Sequence, residues 1–259
     1  MSGAGQPPAF ASVVPARLLD SRPGSETTDG DFAGDDVRTA DLITFLRVAG
    51  RGGVANDATA VVLNVTVTQA EGTGFITAYP CGSDRPTTSN LNYSAGSTIA
   101  NAVVAKVGAN GNVCLYTSAS VQLIADVNAY YRDTSAFASL VPARLLDSRP
   151  NTQTVDHLSE GLGLRSTDSI TELQVTGRGG VPADATAVAL NVTVTQAQSS
   201  GYVTAYPCGS DQPNASNLNF DAGSTIPNLV IAKVGDGGNV CIFPLAPTHL
   251  IADVNGYYT

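Results

Sequence analysis

Residues 60–68 read "AVVLNVTVT", and residues 187–195 read "AVALNVTVT". In the first stretch Val61, Leu63, Val65 and Val67 alternate with Val62, Asn64, Thr66 and Thr68. In the second, Val188, Leu190, Val192 and Val194 alternate with Asn191, Thr193 and Thr195. A period of two sends the aliphatic set to one face of an extended strand and the polar set to the other, whereas a helix would mix them. The pattern predicts a strand with one face in a core, and it predicts that strand twice.

The recurrence is not local. Shifted by 127 residues, Phe10 to Arg132 aligns with Phe137 to Thr259 without a gap, and 78 of the 123 pairs are identical. That period exceeds the roughly 20 to 50 residues of solenoid and propeller repeats and falls in the range of whole domains. We therefore expect a leader or linker over residues 1–9, one domain over 10–132, a joint over 133–136 and a second domain over 137–259. So short a joint restricts the orientations the domains can take.

Other strands are expected at "ARLLDSR", "LITFLRVAG", "GFITAYPC", "NAVVAKVG", "NVCLYTS" and "QLIADVNAYY". They are punctuated by the turn-forming strings "GRGG", "CGSD", "SAGS" and "GANG". Many short strands with regular turn signals lead to an all-β fold, two tandem copies of an antiparallel β-sandwich, with a barrel or trefoil-like fold as the alternative.

Cys81 and Cys114 stand 33 residues apart, and Cys208 and Cys241 repeat that spacing. Four cysteines allow three pairings. One bridge inside each copy fits the repeat most simply. Metal ligation is the other reading, but no C-x-x-C spacing supports it and neither histidine is matched in the other copy. With disulfides comes an oxidising, secreted or cell-surface setting.

Charge removes several classes of function. The net charge of −9 divides evenly between the halves, and no basic cluster is present, so binding to a nucleic-acid backbone is not expected. No apolar run reaches the roughly 18 residues of a spanning helix. His157 aligns with Gly30 and His249 with Gln122, so no histidine mechanism occurs in both copies. A G-x-S-x-G nucleophile elbow is lacking, and a Ser-His-Asp arrangement remains open in the second copy alone. The expectation is a protein that binds without catalysing.

The matched polar residues are mostly amides, hydroxyls and aspartates. In "LIADVNAYY" the side chains of Asp126, Asn128 and Tyr130 are expected on one strand face, as are Asp253, Asn255 and Tyr257 in the second copy. A carboxylate, an amide and an aromatic ring together suit a sugar. Their structural reading is an Asp126–Arg22 ion pair, an Asn128 that satisfies loop backbone, and a Tyr130 packed on the core. Further candidates are Tyr79 and Asp84 with Tyr206 and Asp211 beside the cysteines, and Asn92 with Asn219. No cofactor is expected; calcium is the ion these oxygens could hold, but the D-x-D-x-D loop is lacking. Residues 24–47 against 151–174, and 116–122 against 243–249, differ most between copies and read as surface loops.

"VPARLLDSRP", "GRGGVPADATAVALNVTVTQA", "YPCGSDQPNASNLNF", "GGNVCIF" and "LIADVNGYY" together resemble a repeat module of secreted and cell-surface actinobacterial proteins. The second copy follows that pattern more closely, since Ala55, Thr87, Ala100 and Ala129 of the first depart from it. The resemblance implies an accessory module attached to other extracellular domains, and it raises a lectin-like targeting role. The leading expectation is a bivalent module that binds a cell-surface glycan or cell-wall polymer as part of a larger secreted assembly. The alternative is a spacer that binds other secreted protein domains.

Overall fold

The computed structural model describes residues 9–34, 36–132, 137–167, 169–213 and 216–259. Nearly all of the expected leader and all of the expected joint lie outside them. The first copy forms strands β1 (Phe10–Asp20), β2 (Ile43–Arg47), β3 (Ala60–Thr68), β4 (Gly74–Pro80), β5 (Leu91–Tyr93), β6 (Ile99–Lys106), β7 (Asn112–Thr117) and β8 (Gln122–Tyr131). The second repeats them as β9 (Ala138–Asp147), β10 (Thr171–Gln174), β11 (Ala187–Thr195), β12 (Gly201–Pro207), β13 (Leu218–Phe220), β14 (Ile226–Lys233), β15 (Asn239–Pro244) and β16 (His249–Tyr258).

Each copy is a β-sandwich of two four-stranded antiparallel sheets. In the first copy the strand orders are β1-β8-β3-β6 and β2-β7-β4-β5; in the second they are β9-β16-β11-β14 and β10-β15-β12-β13. Val61, Leu63, Val65 and Val67 of β3 are fully buried between the two sheets with Leu115, Leu123 and Val127. The equivalent core of the second copy holds Val188, Leu190, Val192 and Val194. Alternation is enforced because each sheet has one side turned to its partner and one turned away.

The expected bridges are present. Cys81 pairs with Cys114 and Cys208 with Cys241, with Cα atoms 5.0 Å apart in both. Each ties the end of β4 or β12 to the neighbouring β7 or β15, on the side of the sheet away from the core. Closing a loop of this size contributes roughly 3 to 4 kcal/mol by restricting the unfolded chain. Gly108 lets the chain pass the bridge, since a Cβ there would lie 2.3 Å from the backbone N and O of Cys81; Gly235 has the same role beside Cys208.

A second matched element fixes the divergent loops. Arg178, from the second "GRGG" turn, donates from Nε and Nη2 to Asp156 at 2.7 and 2.8 Å. It also donates to the carbonyls of Gln174, Leu145 and Leu158. Arg51 holds Asp29, Arg47, Leu18 and Asp31 in the same way. A planar guanidinium fork suits this multiple docking. The loops can therefore differ along their length while one Asp in each stays anchored.

The copies pack against each other through an aromatic stack. Phe137 is almost fully buried, with its ring centroid 4.6 Å from that of Tyr131 and 4.9 Å from that of Tyr258. Its place depends on Gly256, where a Cβ would stand 2.2 Å from the ring. We expect Gly256→Ala to displace Phe137 and destabilise the chain by about 1 to 3 kcal/mol, the usual cost of overpacking, read from urea unfolding midpoints. An unchanged midpoint would show that the ring is not confined there.

The Arg178 clamp has a pH signature. Its hydrogen bonds hold the Asp156 carboxyl down to about 2, below the usual carboxylate value. Because the folded value is depressed, the clamp's contribution is complete above about pH 4 and is lost as pH falls towards 2. Asp156→Asn is expected to lower stability at neutral pH and to flatten the stability loss across that window, measured by unfolding midpoints at successive pH values. A variant whose acid limb matches that of the parent would rule the clamp out as a source of acid sensitivity.

Candidate functional site

Asp126 and Asn128 reach the outward side of the β1-β8-β3-β6 sheet. There they line an open depression of roughly 530 Å³ with Pro15, Arg17, Glu26 and Asn64. Tyr130 does not join them. The register of β8 against β3 slips between Val62–Ala129 and Leu63–Val127, so Asn128 is the extra residue of a β-bulge. That extra residue inverts the alternation beyond it, and Tyr130 packs in the core. The same slip between Ala189 and Leu190 turns Tyr257 against the second core. The expected single face of Asp, Asn and Tyr is therefore reduced to Asp and Asn.

The carboxylate is also paired differently from expectation. Asp126 accepts from Nε and Nη2 of Arg17 at 2.8 and 3.3 Å, while Arg22 binds Asp20. Arg17 also donates to Asp20, so one guanidinium bridges two carboxylates. Hydrogen bonds from Arg22 hold the fully buried Asp20 carboxyl below its ordinary value. The signal for Arg17 was present in the sequence, since Arg17 and Arg144 are matched and lie three residues before Asp20 and Asp147.

In the second copy the same face is closed. Asp253, Asn255 and Asn191 are each 1% exposed. The edge of the first copy covers them. Asn101 donates from Nδ2 to Asn191 Oδ1 at 3.0 Å, Asn191 donates back to the Ser89 carbonyl at 2.6 Å, and the Ser89 N–H donates to Asp253 at 3.4 Å. Asp253 also accepts from Arg144 at 2.9 Å. Burial pushes the Asp253 carboxyl above its ordinary value, against the pull of Arg144 and the Ser89 N–H. Burial acts in the same direction on Asp147, but the hydrogen bonds and charge of Arg149 outweigh it and leave Asp147 depressed.

The remaining candidates fall into separate places. Tyr79 and Tyr206 are buried beside the disulfides, in clusters with Tyr116 and Phe243 respectively. Asp84 and Asp211 are exposed on the turns that follow the cysteines, and Asn219 is exposed on β13. Asn92 is half-buried and donates to Ser89 Oγ at 3.1 Å. It lines a groove of roughly 790 Å³ between the copies, with Phe75, Tyr93, Ser97 and Ser118 on one wall and Ser224 and Thr225 on the other. Sequence reasoning missed this groove, because its second wall comes from the other copy.

Ser148 and His249 lie 2.9 Å apart, but both are buried. Ser21 and Gln122 make the equivalent contact in the first copy, and in both copies the serine oxygen accepts the next backbone N–H of the last strand. The pair joins the end of β9 to β16. Among the described residues, no three of His, Cys, Asp and Glu gather as metal ligands. No family model, no curated protein and no solved structure matches this chain.

Proposed function

We propose that this chain is a non-catalytic extracellular binding module whose ligand is a carbohydrate of a cell surface or cell wall. The groove between the copies carries the reading. It sets the ring of Phe75 beside the amide of Asn92 and the hydroxyls of Ser97, Ser118, Ser224 and Thr225. An apolar ring face with a few convergent polar groups, at a junction between domains, is the usual composition of a small-ligand site. The two disulfides fit an oxidising compartment.

A pair of equivalent sites is not part of this proposal, because Asp126 and Asn128 face an open depression while Asp253 and Asn255 are sealed. The groove is one composite site per chain. Attachment to a larger secreted assembly, as the actinobacterial resemblance implies, would use this module to place other domains on the glycan. The spacer reading is favoured by one observation, the buried and hydrogen-bonded contact between the copies, which makes the pair stiff.

The test is binding of the intact two-copy chain to a glycan array and to purified cell-wall polymer. Binding is expected, with Phe75→Ala weakening it by about tenfold, as loss of an aromatic contact typically does, and Asn92→Ala weakening it less. Asp126→Asn, outside the groove, is expected to leave glycan binding unchanged. No binding to any glycan or wall polymer would leave the spacer reading in its place.

A further inference from the structure

The contact between the copies is heterologous: an edge of the first copy covers a face of the second. The edge supplies the backbone of Ser89, the amide of Asn101 and the apolar Val104, and the face supplies Asp253, Asn191 and Phe137. Because the chain is a repeat, it carries both partners a second time; there β14 touches β5 and β6 and Val62 packs against the aromatic cluster, but the residues matched to the rest of the contact stand open. On the second copy the edge presents Ser216, Asn228 and Ile231; on the first, the face presents Asp126, Asn64 and Phe10.

These open residues have the exposure of parts separated from their partner. Val104 is 4% exposed, whereas its equivalent Ile231 is 50% exposed. Phe137 is 1% exposed, whereas Phe10 is 48% exposed. Asn228 already makes the same internal bond as Asn101, donating to Asn217 at 2.6 Å where Asn101 donates to Asn90 at 2.7 Å, so its amide is held in the same orientation. Asn64 and Asp126 already line one open depression.

We propose that the open face of the first copy is a docking site for the β13–β14 edge of a second copy of this chain. Asn228 of one chain donates to Asn64 of the next, Asn64 donates to the Ser216 carbonyl, and the Ser216 N–H donates to Asp126. The apolar end cannot be an atom-for-atom repeat. Val62 and Ile231 replace Ala189 and Val104, and Ala129 fills the space that Gly256 leaves for Phe137. The polar pairs therefore set the register, and the apolar residues meet with a different packing. A heterologous contact of this kind does not close on two chains but extends into a string or ring. The internal contact has the help of a short tether, worth an effective concentration on the order of millimolar. Without it, assembly is expected only at high protein concentration or on a surface that gathers the chains.

Sedimentation equilibrium of the intact chain tests this, independently of any glycan. Between about 10 µM and about 1 mM the weight-average mass is expected to rise at least twofold. Asn64→Lys blocks the face and Ile231→Glu blocks the edge; both positions are solvent-facing, and each variant alone is expected to stay monomeric with an unchanged thermal midpoint. Mixed, the two are expected to form a one-to-one dimer and nothing larger, because each retains one working surface. A parent chain that stays monomeric at 1 mM, variants that assemble as well as the parent, or a mixture that does not dimerise would each overturn the proposal.

Discussion

The structure depends on how two polar groups of one sheet face, Asn191 and Asp253, are satisfied, while the buried amide of Asn255 beside them has no hydrogen-bond partner among the described residues. Asn191 and Asp253 stand on the outward side of β11 and β16, where a lone sandwich would leave them to water. Here they are buried, and a buried polar group without a partner costs about 1 to 3 kcal/mol. The first copy meets that demand with the backbone of Ser89 and the amide of Asn101, both from an edge that is itself held by internal hydrogen bonds. The aromatic stack of Tyr131, Phe137 and Tyr258 closes the apolar side of the same contact. From this one contact follow the composite groove and the inequivalence of two nearly identical domains.

The fold was legible because its physics is local and periodic. Valines at alternate positions of β3 and β11 must face a core, and a turn signal must separate each such run from the next. The cysteine pairing followed from the repeat, since a bridge within each copy gives both domains the same local closure of 33 residues, whereas the other two pairings tie one copy to the other. The three-residue β5 and β13 were not legible, because three residues show no alternation. The bulge at Asn128 was hidden for a related reason. "DVNAYY" alternates on paper whether or not a residue is inserted into the ladder, and only the pairing with β3 shows that Tyr130 turns inward.

The site was less legible than the fold. Asn64 and Asn191 are the same residue in the same string, yet one faces an open depression and the other is sealed. Identical sequence cannot report a difference that arises from position in the chain. The traces it leaves are small: Gly256 against Ala129 beneath the aromatic stack, and Val104 against Ile231 on the edge strand. The Arg51–Asp29 and Arg178–Asp156 clamps went unread because each aspartate stands between unmatched neighbours in a loop where most positions differ between copies.

Asn101 and Asn191 bind each other across the two copies, while their equivalents, Asn228 and Asn64, make no such contact within the chain. A double-mutant cycle on the intact chain at low micromolar concentration tests it, with alanine at each position alone and at both, followed by urea unfolding. The Asn101/Asn191 pair should couple by about 1 kcal/mol, and the Asn228/Asn64 pair should be additive within about 0.3 kcal/mol. Additivity at Asn101 and Asn191, or equal coupling in both pairs, would rule out a contact between the copies that only Asn101 and Asn191 make.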